Sequence, residues 1–176
     1  RVYHLGGPRK PRRGPGNGFG GGVLMSTQKI CSVIGLDPGM NTGVARYAGG
    51  VLEALETVLP WGLRCLLTAH APTLVVFEDS RQQSHTWTRS SSRAASLKMA
   101  RNVGEIDAWC KLIEAECSAL GIKCIGVSPS DKGGKLDAAA FNRLTGWAGA
   151  SNQHTRDAGA VAWRYRKFTP AMAKAL

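Results

Sequence analysis

Two apolar segments of the sequence each end in a carboxylate. Asp37 follows residues 30–36 and precedes a glycine-rich turn, while Glu78 follows residues 74–77 and precedes a second acid, Asp79. Short apolar runs bounded by turn residues are typical of buried strands, and open α/β sheets bind ligands beyond the carboxyl ends of their strands. An acid there is costly unless it is solvated, paired or bound to a cation. An ordinary turn or a salt bridge explains either acid alone, whereas two such strand ends favour a cation site.

A histidine and an aspartate open the last helical pattern of the chain. His154 and Asp157 are three residues apart, so they lie on one face of a helix. Residues 158–162 read Ala-Gly-Ala-Val-Ala, which predicts that this helix packs closely on the sheet and brings both side chains near the strand ends. An aspartate that serves only the helix dipole is the alternative interpretation.

These four residues share a ligand chemistry. They offer carboxylate oxygens and one imidazole nitrogen, without a thiolate, and this set suits Mg²⁺ or Mn²⁺ better than a structural zinc ion. Two such ions roughly 3.5–4 Å apart can activate a water molecule and stabilise the leaving oxygen of a phosphodiester. The predicted chemistry is metal-dependent hydrolysis of a phosphodiester at Asp37, Glu78, His154 and Asp157.

Composition and charge indicate the class of protein and of partner. The chain has 176 residues, of which 43% are hydrophobic, and a formal net charge of +11. These values predict one globular domain whose field attracts polyanions such as nucleic acid, with a merely soluble surface as the alternative. No run approaches the roughly 18 apolar residues of a membrane span, so no membrane partner is expected. Five cysteines without a Cys-x-x-Cys pair exclude a zinc ribbon or a disulfide framework and predict a reduced, cytoplasmic location.

The chain divides into a tail and one folded domain over residues 29–176. Residues 1–28 are basic and rich in glycine and proline, which predicts a flexible tail, either foreign to the native domain or a nucleic-acid-binding arm. Strands are expected at residues 30–36, 43–47, 51–59, 74–77 and 122–127, and helices at 61–70, 93–120, from 137 onward, and at 152–167. This order predicts an α/β fold with a mixed five-stranded sheet, its first three strands antiparallel, flanked by helices.

Three segments of the sequence, in this order and at this spacing, resemble the motifs of RuvC-type Holliday junction resolvases. They are residues 33–43 (VIGLDPGMNTG), 75–79 (VVFED) and 154–162 (HTRDAGAVA). The resemblance covers about residues 29–165. It implies an RNase H-like fold, a homodimer, and two Mg²⁺ ions per active site, with Mn²⁺ as a substitute.

By the same resemblance, the residues that bind the metal ions and carry catalysis are Asp37, Glu78, His154 and Asp157. Many relatives carry aspartate where this chain has His154, which leaves that residue's role open between metal ligand and general base. The implied function is symmetric nicking of four-way DNA junctions by paired hydrolysis, with 5′-phosphate and 3′-hydroxyl ends as products. The implied setting is a bacterial nucleoid or the cytoplasm of a phage-infected host.

The segment over residues 80–93 takes the place of the family's junction-contacting loop. An aromatic residue there can stack on unpaired bases, worth roughly 1–3 kcal/mol per base, unless it folds back onto the core. Basic residues in that segment and in a predicted glycine-containing loop over residues 130–135 suit phosphate contacts, with solvated charge as the alternative. The DNA-binding candidates are Arg81, Trp87, Arg89, Arg93, Lys132 and Lys135.

Other functions fit parts of the same pattern. An RNase H-like nuclease acting on flaps, forks or RNA–DNA hybrids is the nearest alternative to a junction resolvase. An actin-like ATP-binding protein also carries an Asp-x-Gly loop after an early strand, but it needs two lobes, for which this chain is short. A junction-binding module without catalysis is not favoured, because all four candidate positions carry competent ligands.

Overall fold

A five-stranded mixed sheet forms the centre of this α/β protein. The computed structural model describes residues 31–83 and 92–173, so the predicted tail at residues 1–28 lies outside the described part of the chain. The strands are β1 (Ser32–Asp37), β2 (Thr42–Ala48), β3 (Val51–Val58), β4 (Leu74–Glu78) and β5 (Lys123–Val127). Their spatial order is β3-β2-β1-β4-β5, with β1–β2 and β2–β3 antiparallel and β1–β4 and β4–β5 parallel. This confirms the predicted sheet.

Helices connect and cover the strands. Within the described residues they are α1 (Leu63–His70), α2 (Arg93–Ala119), α3 (Pro129–Lys132), α4 (Ala138–Thr145), α5 (Gln153–Ala162) and α6 (Pro170–Ala173). Short 3-10 turns lie at Pro60–Gly62, Ser80–Gln82 and Trp163–Tyr165. In this part of the chain no helix is long and apolar enough to cross a membrane, and Cys65, Cys110, Cys117 and Cys124 are thiols that form no disulfide.

Two predicted boundaries were wrong. The stretch at residues 130–135 was expected to be a loop, but its first residues belong to α3, because Pro129 at the first helical position has a backbone already suited to a helix. The last long helix was expected to reach residue 167 but ends at Ala162. There the backbone tightens into a 3-10 turn, and the ring of Trp163 packs edge-on against Tyr47 with 6.3 Å between ring centroids.

The sheet has a hydrophobic core on each face. Val33 and Tyr47 pack with residues of α4 and α5, whereas Ile34 and Val44 pack with residues of α1 and α2. This division follows from the alternation of side chains along a strand. Because β1 and β4 are buried on both faces, their sequences are continuous apolar runs.

Two glycines allow α5 to lie directly on the sheet. A Cβ at Gly35 would stand 2.7 Å from the Cβ of Ala162, and a Cβ at Gly43 would stand 2.9 Å from the backbone nitrogen of Thr155. Neither strand position has room for a side chain, which confirms the close packing predicted from the small residues of α5. The start of α5 is fixed by Asn152, which forms a capping box with Thr155.

Candidate metal centre

The candidate site lies at the end of the sheet where β1 and β4 finish. These strands are parallel neighbours, and their register pairs the residue before Asp37 with the residue before Glu78. The two acids therefore leave adjacent strands at the same sheet edge. Helix α5 begins beside this edge with His154 as its second residue and Asp157 as its fifth, and the charges of Glu78 and Asp157 both act on Asp37. All four predicted residues thus come to one place.

The imidazole of His154 pairs with Asp37. Nδ1 of His154 lies 2.8 Å from Oδ2 of Asp37, so that the ring N–H donates a hydrogen bond to the carboxylate. The histidine side chain is 56% exposed and the aspartate side chain 17%. The imidazole therefore stands toward solvent, and its Nε2 has no hydrogen-bond partner among the described residues.

A lysine lies among the acids. Lys132, the last residue of α3, places its ammonium in contact with Oε2 of Glu78 and 3.2 Å from Oδ1 of Asp157. The other oxygen of Asp157 accepts a hydrogen bond from the amide of Gln153 at 3.1 Å. Burial lowers the pKa of Lys132, but its hydrogen bond with Glu78 and the charges of Glu78 and Asp157 outweigh burial, so the net shift of the pKa is upward.

The pKa of Asp37 reflects the burial and the charges of the site. Burial raises the pKa of Asp37, the hydrogen bond from His154 opposes that change, and the charges of Glu78 and Asp157 raise the pKa further. The net shift is upward. Three carboxylates facing one ammonium carry an excess of negative charge, and a bound cation would relieve it.

The donor set fits a divalent cation in type and charge, because hard cations take carboxylate oxygens and tolerate imidazole. As the side chains lie, however, no group of three or more His, Cys, Asp or Glu residues in ranges 31–83 and 92–173 is arranged to hold a metal ion. Glu78 and Asp157 converge on the ammonium of Lys132, and Asp37 pairs with His154. The residues present fit the ion, and their current partners explain why they do not converge on one point.

Two of the predicted DNA-binding residues are engaged with acids. The guanidinium of Arg81 lies 2.7 Å from Oδ1 of Asp79 and 2.6 Å from Oε1 of Glu114. It therefore does not present a free charge to a phosphate. Lys132 is the last residue of α3 and is enclosed by the candidate site, with only 6% of its side chain exposed, whereas the sequence predicted a loop suited to phosphate contacts.

The other predicted DNA-binding residues lie at the surface or outside the described ranges. Arg93 begins α2 and Lys135 lies between α3 and α4, and both are exposed. Trp87 and Arg89 lie outside the described residues. Contact of these four with DNA stays a prediction.

Sequence reasoning missed the contact between Lys132 and the acids. The signal for it is the strand order: β5 is the parallel neighbour of β4, with Glu78 paired to Val127, so the segment after β5 leaves the sheet at the same edge. Gln153, four residues before Asp157, was missed as well, although residues at this spacing are neighbours on a helix.

The strand order, with helices on both faces, defines an RNase H-like fold. Within that class, the chain is similar to RuvC of Thermus thermophilus in complex with a Holliday junction substrate, with a TM-score of 0.54 and 17% sequence identity over 78% of this chain and 94% of that chain. A second Thermus thermophilus RuvC structure matches with a TM-score of 0.49 and 16% identity over 81% of this chain and 96% of the other. No protein-family profile and no curated protein matches. The predicted resemblance to RuvC is thus confirmed at the level of the fold.

Proposed function

We propose that this protein is a metal-dependent endonuclease that resolves four-way DNA junctions by paired phosphodiester hydrolysis. The observation that carries the proposal is the gathering of Asp37, Glu78, His154 and Asp157 at the carboxyl ends of two parallel strands. This edge is where an open α/β sheet binds its ligands. The fold is also that of a structure whose own substrate is a Holliday junction.

The carboxylates of Asp37, Glu78 and Asp157 would hold the divalent ions, with Mg²⁺ as the proposed ion, Mn²⁺ as its substitute, and two ions per site. Bound there, the ions supply charge neutralisation and Lewis-acid activation for phosphodiester hydrolysis. Gln153 holds Asp157 in position through its amide. Asp37 plays a similar part for the imidazole of His154.

His154 is placed to move a proton. Its Nδ1 is fixed by Asp37, and its exposed ring leaves Nε2 to accept a proton from an attacking water molecule. Bond formation between that water oxygen and phosphorus then breaks the bond from phosphorus to the 3′ oxygen, which takes up a proton from solvent. The products carry 5′-phosphate and 3′-hydroxyl ends. If His154 serves instead as a metal ligand, the water must lose its proton to another group.

The charge of the chain supports a polyanionic substrate. The whole chain, with the acids of the candidate site included, has a net charge of +11, and such a charge draws the DNA backbone to the protein. Exposed Arg93 and Lys135 are proposed phosphate contacts. Action in the cytoplasm, on nucleoid or phage DNA, is part of the same proposal.

A second copy of the chain is proposed as partner, because paired nicks require two active sites. The first turns of α2 support this arrangement: Leu97 and Met99 are 55% and 51% exposed, while the residues that α2 buries against the sheet lie from Cys110 onward. A helix end that presents apolar side chains to solvent is suited to contact with another protein surface.

The proposal is tested with a panel of five substrates at one salt concentration: a four-way junction, a fork, a flap, an RNA–DNA hybrid and a plain duplex. Each is incubated with Mg²⁺, Mn²⁺ or a chelator, and nicks are mapped on every strand. We expect paired nicks in opposite junction strands, 5′-phosphate ends, and no cleavage in chelator. Cleavage of the fork, flap or hybrid at the junction's rate would contradict junction resolution and favour a broader RNase H-like nuclease.

Two variants complete this experiment. Asp37→Asn should bind the junction but lose cleavage by about 10³-fold or more. Asp137→Asn removes a carboxylate at the start of α4 and keeps a competent helix cap, so it should cleave normally. Normal cleavage by Asp37→Asn would show that the active site lies elsewhere.

A further inference from the structure

The ammonium of Lys132 is the one cationic side-chain group, among the described residues, that the structure pairs with Glu78 and Asp157. Its side chain is 6% exposed, and the side chains of the two acids are 22% and 7% exposed. A lysine is rarely buried to this degree unless it is paired. The position of this ammonium, between two acids of the candidate metal centre, calls for an explanation.

We propose that Lys132 is a tethered cation that takes the place of a divalent ion between Glu78 and Asp157, and that binding of the ion expels its ammonium from the site. The inference rests on the cation site of the proposed function. It goes further by assigning Lys132 a positioning role in the metal-free protein, where it neutralises carboxylates that would otherwise repel one another.

A divalent ion and the ammonium of Lys132 would compete for the same oxygen of Glu78. Its Oε2 is buried, and the ammonium of Lys132 is its partner in the described part of the chain. A divalent ion bound by the same oxygen would stand within a few ångströms of that ammonium. Two positive charges at such a separation in a partly buried site repel strongly. Ion and ammonium therefore exclude each other at this oxygen.

The surroundings of Lys132 offer its side chain an alternative position away from the two acids. Lys132 also borders a cavity of about 160 Å³, whose lining residues include Asp131 and Arg164. Helix α3 has only four residues and is followed directly by Gly133, whose φ of +88° favours glycine. The ammonium can thus leave the two acids for the cavity or for solvent without unfolding a long element.

The inference has two measurable consequences. The metal-free site is held together by an internal ion pair, so its stability depends on Lys132. Divalent ions bind less tightly than they would to the same acids without the lysine, because each binding event must also displace the ammonium. A lysine that merely packed against the acids would produce the first consequence and not the second.

The first experiment uses the unmodified protein and no DNA. Lysines are acetylated with a water-soluble ester in chelator and in saturating Mn²⁺, and the modified positions are quantified by mass spectrometry. We expect acetylation of Lys132 to rise at least fivefold with Mn²⁺, while that of the exposed Lys111 stays constant. Unchanged protection of Lys132 in protein that calorimetry shows to be loaded with Mn²⁺ would overturn the inference and leave the proposed function standing.

The second experiment compares Lys132→Met with the matched control Lys111→Met. Calorimetry with Mn²⁺ should show affinity at least tenfold higher for Lys132→Met than for wild type and control. In chelator the Tm of Lys132→Met should be lower, and Mn²⁺ should raise its Tm more than that of wild type. Equal or weaker affinity of Lys132→Met would contradict the inference. Absence of Mn²⁺ binding in all three proteins would overturn it together with the proposed cation site. If Lys132→Met does not fold, the acetylation experiment decides.

Discussion

Glu78 and Asp79 are neighbours in the sequence, yet they belong to two different clusters of charge. Successive residues of an extended chain point to opposite sides, so Glu78 turns toward Lys132 and Asp157 while Asp79 turns toward Arg81. Glu78 belongs to the candidate metal centre, and Asp79 belongs to a network of ion pairs that connects the end of β4 to α2. The difference between these clusters separates an acid that can serve chemistry from one that holds the fold.

The cluster around Arg81 is balanced in its hydrogen bonds. Its guanidinium donates from Nε and Nη2 to the two oxygens of Asp79, at 2.7 and 2.9 Å, and also reaches both oxygens of Glu114. The hydrogen bond from Arg81 is the main cause that lowers the pKa of Asp79, with further help from Gln82. A planar fork matched to a carboxylate gives a strong and specific pair. Two carboxylates face one guanidinium here, but both oxygens of the buried Asp79 accept hydrogen bonds and Glu114 is half exposed, so no buried carboxylate lacks a partner.

The candidate metal centre is unbalanced by comparison. Burial and neighbouring acids raise the pKa of Asp37, whereas hydrogen bonds lower that of Asp79. Opposite pKa shifts in two acids at the ends of neighbouring strands indicate that the first site disfavours its own negative charge and the second stabilises it. A site of the first kind gains most from binding a cation.

The largest predicted effect separates the two neighbouring acids. Glu78→Gln should reduce junction cleavage by about 10³-fold or more, because it removes a proposed metal ligand. Asp79→Asn should keep cleavage at temperatures well below its Tm, because Asp79 contacts Arg81 and Gln82 rather than the candidate metal centre. Single-turnover cleavage of a four-way junction measures both variants.

Stability provides the complementary measurement for this pair. Asp79→Asn should unfold at a lower urea concentration than wild type, because it weakens the ion pair with Arg81. Glu78→Gln should change stability less, since it removes one of the mutually repelling acids along with its pair to Lys132. Loss of cleavage in folded Asp79→Asn, or normal cleavage by Glu78→Gln, would reverse the assignment of the two acids.

The sequence was sufficient to predict the sheet and the position of the four candidate residues at one edge of it, because the signals for both are local. Apolar runs at the positions of β1 and β4 mark buried strands, and the acids stand where those runs end. The spacing of His154 and Asp157 places them on one helix face, and the small residues that follow predict close packing, which Gly35 and Gly43 complete from the sheet side.

The partners of the charged residues could not be predicted in the same way. Arg81 finds Glu114 across 33 positions of sequence, and the pairing of Lys132 with Glu78 depends on β5 lying beside β4. Such pairs are decided by tertiary packing, which has no short-range sequence signal. The same limit explains why Arg81 and Lys132 were interpreted as DNA-binding candidates, whereas the structure pairs both with acids.

The second-largest predicted effect is the loss of stability when the guanidinium is removed from the cluster around Arg81. Arg81→Met keeps the aliphatic stem and leaves Asp79, whose side chain is 7% exposed, without its charged partner. We expect a loss of about 2 kcal/mol in the free energy of unfolding, below the figure for a fully buried pair because Arg81 is 23% and Glu114 45% exposed. Urea denaturation in chelator measures the loss.

Two controls distinguish this loss from a general effect of removing charge. Arg143→Met removes an exposed arginine from α4 and should change the free energy of unfolding by no more than about 0.5 kcal/mol. Glu114→Gln should cost less than about 1 kcal/mol, because that partner is half exposed. Equal losses in Arg81→Met and Arg143→Met would mean that the cluster does not stabilise the fold.

The smallest predicted effect is the pH dependence of the stability that Asp79 contributes through the cluster around Arg81. The pKa of Asp79 is lower in the folded protein than in the unfolded chain, where an aspartate titrates near about 3.9. The unfolded chain therefore binds its proton first as the pH falls, and the stability that Asp79 contributes is fully present above that pH and is lost as the pH falls through the folded pKa. In urea denaturation between about pH 7 and pH 3, the difference in stability between wild type and Asp79→Asn should stay constant above about pH 5 and shrink below about pH 4. A difference that grew on acidification would mean that Asp79 is not held in its ionised form by Arg81, and the contrast with the candidate metal centre would lose its electrostatic basis.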